Sequence, residues 1–173
     1  MTDQPVSRSL PFETSIWNAA GAAQRPSLGQ IGLQQFAPYL INLVSQSWTT
    51  HLAAALRAHD LTTTKMRALA ILSIASPVTI NELSLYALTE QSTMSRTLDA
   101  LEEQGFVTRK ARPEDLRVRD VHITDPGRAA FARVWPEMYD LLLKLFEGVD
   151  SEEYAAFTST LHKLLANIRK HEI

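Results

Sequence analysis

Residues 89–124 read TEQSTMSRTLDALEEQGFVTRKARPEDLRVRDVHIT. The change of period inside this stretch decides the fold. Met94, Leu98 and Leu101 recur at helical spacing, so one face of a helix turns inward. Gln91, Ser92, Thr93, Ser95 and Arg96 are left at its front. Gly105 stands just past the helix end, where a positive φ is favoured. Phe106-Val107-Thr108 and Val121-His122-Ile123-Thr124 are then strand formers. Between these runs lies Arg109-Lys110-Ala111-Arg112-Pro113-Glu114-Asp115-Leu116-Arg117-Val118-Arg119, a basic tip. A helix showing small hydrogen-bonding side chains, followed by a cationic two-stranded hairpin, suits double-stranded DNA. The helix fits the major groove, and the tip reaches the neighbouring minor groove or backbone.

Working towards the N-terminus, Thr89 is expected to cap this helix. Before it, Thr79-Ile80-Asn81-Glu82 fits a capping box that opens a short helix carrying Ile80, Leu83 and Leu85. Ser76-Pro77 separates that helix from an earlier one. The earlier helix opens at Leu61-Thr62-Thr63-Thr64 and carries Met66, Leu69, Ala70 and Leu72. Helix, short helix, turn, helix and hairpin, in that order, make a winged helix-turn-helix.

Further out, Leu33, Phe36, Leu40, Val44, Trp48, Leu52 and Leu56 step by three or four residues along a long amphipathic helix, which Pro38 either starts or kinks. Residues 1–30 are broken by Pro and Gly. Phe12, Ile16 and Trp17 there either belong to a loose tail or anchor an arm on a partner chain. Beyond the hairpin, Thr124-Asp125-Pro126-Gly127 starts a helix with Ala130, Val134, Met138, Leu141, Leu142 and Leu145, in which Pro136 is expected to cause a bend. Gly148 stops it. Asp150-Ser151-Glu152-Glu153 is a second capping box, followed by a stripe of Tyr154, Phe157, Leu161, Leu164, Leu165 and Ile168. The expected class is mainly α with a small β-hairpin wing. It divides into an N-terminal extension (1–30), an N-terminal dimerisation helix (31–60), the winged helix-turn-helix (61–125) and C-terminal dimerisation helices (126–173). The outer helices carry more apolar surface than one winged module can bury, so a symmetric homodimer is expected.

Composition narrows the function. The chain has 173 residues, 45% hydrophobic and 21% charged, with a net charge of −2. A pI near 6.2 argues against indiscriminate nucleic-acid binding but not against a local basic patch. The absence of cysteine removes disulfides, thiol redox sensing and thiolate metal sites. No apolar run approaches the roughly 20 residues of a membrane span. The N-terminus lacks an apolar signal core, so a cytoplasmic location is expected. His59, His162 and His171 have no metal-ligand spacing with carboxylates. Neither a Gly-rich phosphate loop nor an acid–base–nucleophile set is present. No metal, cofactor or enzyme activity is expected.

Three pieces of the chain together resemble the MarR (multiple antibiotic resistance regulator) family. They are Leu61-Thr62; Ser92 to Glu102 ending at Gly105-Phe106-Val107-Thr108-Arg109; and Asp115-Leu116-Arg117 with Val121 to Arg128. The resemblance runs from about Leu33 to the C-terminus. It implies an obligate homodimer that binds pseudo-palindromic promoter sites, often as a repressor, and in many members is released by a small aromatic or phenolic acid. Cysteine-based oxidant sensing, present in some members, has no counterpart in this chain. The alternative is a winged-helix protein-interaction module without specific DNA binding, which would leave the basic tip without a role.

Candidate residues follow from these readings. Gln91, Ser92, Thr93, Ser95 and Arg96 form the major-groove surface. Gln suits adenine edges, Arg suits guanine or phosphate, and the hydroxyls suit either. Ser92 and Thr93 have the alternative of serving only the helix start. Arg117 resembles the family's wing arginine, and Asp115 is expected to hold it by a charge-assisted pair. Arg112 and Arg119 are expected to meet phosphates. Thr62, Thr64 and Lys65 either contact phosphate or only cap a helix. Trp48, His51 and Arg67 are the candidate effector site, with core aromatic and surface arginine as the plainer reading.

Overall fold

Pro38 settles where the long first helix begins. In a computed structural model of the protein, which describes residues 27–113 and 115–171, helix α2 runs Ala37–Arg57 with Pro38 in its first turn. There the missing N–H costs no intrahelical bond. The chain divides into two units, Met1–Ala54 and Ala55–Ile173. In the first, a single turn α1 (Leu28–Ile31) and a 3₁₀ turn (Leu33–Gln35) precede α2. The helical stripe expected from Leu33 is thus α-helical only from Ala37. On α2, Tyr39, Leu40, Ile41, Leu43 and Val44 are exposed. Phe12, Ile16 and Trp17 lie outside the described residues.

The second unit holds the winged module and two long helices. Helix α3 (Thr63–Ile74) is capped by Thr62, whose side chain accepts from the Lys65 N–H at 3.2 Å. Met66, Ala68, Leu69 and Leu72 are its buried residues. Strand β1 (Val78–Thr79) leads into α4 (Ile80–Tyr86), and the Thr79/Glu82 capping box is formed from both sides. Leu83 is buried, but Leu85 is 71% exposed, against the expectation that it joins the core. Helix α5 (Gln91–Glu103) buries Met94, Leu98 and Leu101 completely. Gly105, at φ 71, turns the chain into β2 (Val107–Arg112), which pairs antiparallel with β3 (Asp115–Ile123).

The sheet has three strands rather than two, in the order β1-β3-β2, because Val78 and Thr79 pair with Val121 and Asp120. Both hairpin strands extend into the basic tip, with a register shift between Ala111 and Arg112. Thr124 caps α6 (Asp125–Leu145), accepting from the Gly127 N–H and donating to the Gly105 carbonyl. Pro126 occupies its second position and Pro136 lies inside it. The α-helix ends at Leu145, and Gly148 follows with φ 82. Asp150 and Glu153 form the reciprocal cap that opens α7 (Ser151–His171). Trp135, Tyr139, Leu143 and Leu145 on α6, and Tyr154, Phe157, Leu164, Leu165 and Ile168 on α7, are large and exposed. No described helix is long and apolar enough to cross a membrane.

Candidate nucleic-acid interface

The front of α5 follows directly from its period. With Met94, Leu98 and Leu101 turned into the core, Gln91, Ser92, Thr93 and Arg96 are left exposed and Ser95 half-buried. The helix start differs from expectation. Its N-cap is Glu90, which makes no side-chain cap bond, while the Thr89 hydroxyl donates back to the Ala87 carbonyl at 3.1 Å. Thr89 therefore braces the preceding turn instead of capping α5. That turn places Leu88 at φ 52, a conformation costly for a residue with Cβ. Leu88, 82% exposed, lines an open hollow of about 540 Å³ together with Asn81, Ser84, Leu85, Thr89, Glu90 and Gln91.

The wing sorts its cations by strand geometry. Arg117 and Arg119 are exposed, and so is Lys110. Asp115 accepts from the backbone N–H of Arg117 at 3.0 Å, so it shapes the strand entry rather than gripping the guanidinium. Arg112, expected to meet phosphates, is paired within the wing. Its Nε and Nη2 form a fork on the Asp120 carboxylate at 3.1 and 2.7 Å, and this pair holds the Asp120 carboxyl below the usual carboxylate range.

At the base of the wing, Arg109 is held by α5. Its guanidinium reaches Glu102 and Asp99, and its backbone N–H donates to Glu102. The Arg109 hydrogen bonds keep the Glu102 carboxyl below its usual range despite opposing desolvation. Sequence reasoning gave Arg109 no separate role. The available signal was acidic residues one helical turn apart, followed across a Gly turn by an arginine.

At the start of α3, Thr62 caps the helix, Thr64 is half-buried, and the Lys65 ammonium donates to Gln104 Oε1 at 3.1 Å. The capping reading holds for Thr62, and Lys65 ties α3 to the end of α5. Of the candidate effector residues, Trp48 is half-buried on α2, and His51 Nδ1 lies 2.8 Å from the Ser47 carbonyl. Arg67 donates to the Ala87 carbonyl at 3.2 Å and so supports the end of α4. A separate hollow of about 300 Å³ is lined by Ala58, His59, Asp60, Leu61, Phe106, Ala130 and Arg133. His59 there pairs with Glu137 at 3.1 Å. Among the described residues, no group of three or more His, Cys, Asp or Glu side chains is placed to hold a metal ion.

A model of the MarR family matches residues 61–118. The structure is similar to a crystal structure of a MarR-family transcriptional regulator from Silicibacter pomeroyi. The identity is 42% and the TM-score 0.78, with 86% of this chain and 100% of that one covered. It is also similar, at 27% identity and TM-score 0.66, to a mutant MarR from E. coli crystallised with operator DNA, covering 74% of this chain and 92% of that one. In sequence, it is 25% identical to the HTH-type transcriptional repressor IacR of Pseudomonas putida, over 83% of this chain and 86% of that protein.

Proposed function

The chain belongs to the MarR family of transcriptional regulators, and from that premise we propose that it binds pseudo-palindromic promoter DNA as a homodimer and represses transcription. Family and fold are those of regulators rather than enzymes. The observation that carries the DNA reading is the division of α5. Its apolar residues are fully buried, while Gln91, Ser92, Thr93 and Arg96 stand out, followed by a wing with exposed Arg117 and Arg119. Gln91 and Arg96 read base edges or position the helix on phosphate, and the wing arginines meet the minor groove or backbone. The similar E. coli structure was crystallised with operator DNA, and the similar P. putida protein is a repressor. Both support the same reading.

Dimerisation is supported by the exposed apolar faces of α2, α6 and α7. A second copy covering them would set two recognition helices about one turn of B-DNA apart, ~34 Å or a multiple. Mobility shift on genomic fragments at two salt concentrations tests the proposal. Specific binding that weakens steeply with salt is expected, because phosphate contacts release counterions. Absent or salt-independent binding would favour a protein-interaction module.

Release by a small aromatic or phenolic acid is the second half of the proposal and rests on the family resemblance. The effector must prefer a dimer geometry that no longer matches the groove spacing. A panel of phenolic acids that neither raises the melting temperature nor frees the operator would overturn this half and leave the first intact.

A further inference from the structure

The joint between the helix and the wing is short. Helix α5 ends at Glu103 and β2 begins at Val107, with Gly105 between them at φ 71. A glycine joint of three residues does little by itself to fix the angle between the elements it connects. Apolar burial holds them together, but it is non-directional. The Gly105 and Phe106 N–H groups donate to the Glu102 and Leu101 carbonyls at 2.9 and 2.8 Å and close the helix end, and the directional side-chain contacts come from Arg109. Its Nε and Nη2 donate to Glu102 Oε2 at 2.9 and 2.6 Å, Nη2 also reaches Asp99 Oδ1 at 2.8 Å, and its backbone N–H donates to Glu102 Oε1 at 2.9 Å. Asp99 and Glu102 are three residues apart and share one face of α5. Arg109 pairs with Val121 across the sheet, so its backbone belongs to the wing and its side chain to the helix.

We propose that Arg109 is a positioning residue that fixes the angle between recognition helix and wing, so that the groove-reading and wing contacts engage DNA as one rigid unit. The inference rests on the DNA-binding reading above. A planar guanidinium bound at both a side and an end restrains rotation as well as distance, which an ammonium cannot do. The Arg109 side chain is only 19% exposed, and its Nε and Nη2 are committed to carboxylates. It therefore contributes alignment and not a phosphate contact. It also offsets negative charge on Asp99 and Glu102, on the helix that must approach a polyanion.

Arg109→Lys keeps the charge and removes the fork. The full-length variant is compared with wild type on an operator selected from random duplexes and on non-specific DNA, each at several salt concentrations. Operator affinity is expected to fall about 10-fold. Non-specific affinity and the salt slope stay unchanged, and hydroxyl-radical protection by the wing weakens while that by α5 persists. Glu102→Gln, which keeps the shape but lowers the charge, should show the same pattern more weakly and serves if the lysine variant does not fold. A merely structural role would lower melting temperature and active fraction without moving the ratio of specific to non-specific affinity per active dimer. That result overturns the proposal, as does a salt slope reduced by about one, which would make Arg109 a phosphate contact. Failure of wild type itself to bind any operator would overturn the DNA-binding reading as well, and is distinct from both.

Discussion

Gly127→Ala sets local propensity against tertiary packing. Gly127 lies in the first turn of α6, beneath the bend that joins the recognition helix to the wing. Alanine is the better helix former by about 1 kcal/mol, so local reasoning expects stabilisation. The packing says otherwise. An added Cβ would overlap the Phe106 carbonyl oxygen and lie 2.9 Å from its carbon and 3.0 Å from Ile123 Cγ1. Two of these are backbone atoms, which cannot swing aside. The Phe106 carbonyl also accepts from the Thr124 N–H at 3.0 Å, and the Gly127 N–H donates to the Thr124 hydroxyl at 3.2 Å. Moving α6 away costs about 1–3 kcal/mol for overpacking. Weakening the hydrogen bond and the cap costs about 1 kcal/mol each. Against the propensity gain, the net is about 2–4 kcal/mol of destabilisation. That corresponds to a melting temperature lower by about 5–15 °C in a chain of this size. Urea titration of wild type and variant, at equal protomer concentration because association adds stability, measures it. A change within about 0.5 kcal/mol, or a stabilisation, would refute the packing argument.

Other perturbations separate further causes. Gly105→Ala meets no atom within 4 Å but must hold φ 71, so a loss of about 1 kcal/mol is expected from conformation alone, read by the same titration. Leu88→Gly is the converse: the residue already sits at φ 52 and is exposed, and glycine should stabilise by about 1 kcal/mol. Arg117→Ala is expected to weaken binding to most sequences and to reduce the salt slope by about one, with unchanged melting; an unfolded variant would make the residue structural. Asp120 and Glu102 have carboxyls held low by Arg112 and Arg109. A folded value below the unfolded one gives stability that is complete above the unfolded carboxylate range. It is lost as pH falls through the folded value, below about pH 4. Arg112→Met should flatten the part of that acid limb due to Asp120, and a limb unchanged by the substitution would show that the pair contributes nothing.

The chain's local order is written in its residues. Caps at Thr62, Thr79 with Glu82, Thr124, and Asp150 with Glu153 all form where the spacing placed them. So does the inward face of Met94, Leu98 and Leu101. These features depend on neighbours three or four residues away, a distance that helical geometry fixes in advance. Strand β1 is two residues long, too short for any period to announce, and exists because β3 offers it an edge. The identity of the cap at α5 also escaped local reading, since Thr89 turns back to Ala87.

Tertiary structure decided which of the basic residues face outward. Arg109, Arg112, Arg117 and Arg119 look alike in the sequence, yet Arg112 is forked on Asp120 and Arg109 on the recognition helix, while Arg117 and Arg119 remain exposed. The reason is geometric. A long cationic side chain finds its carboxylate across a strand pair or a turn, so its partner depends on register and on the angle between elements. Neither quantity is carried by the spacing of residues along one strand.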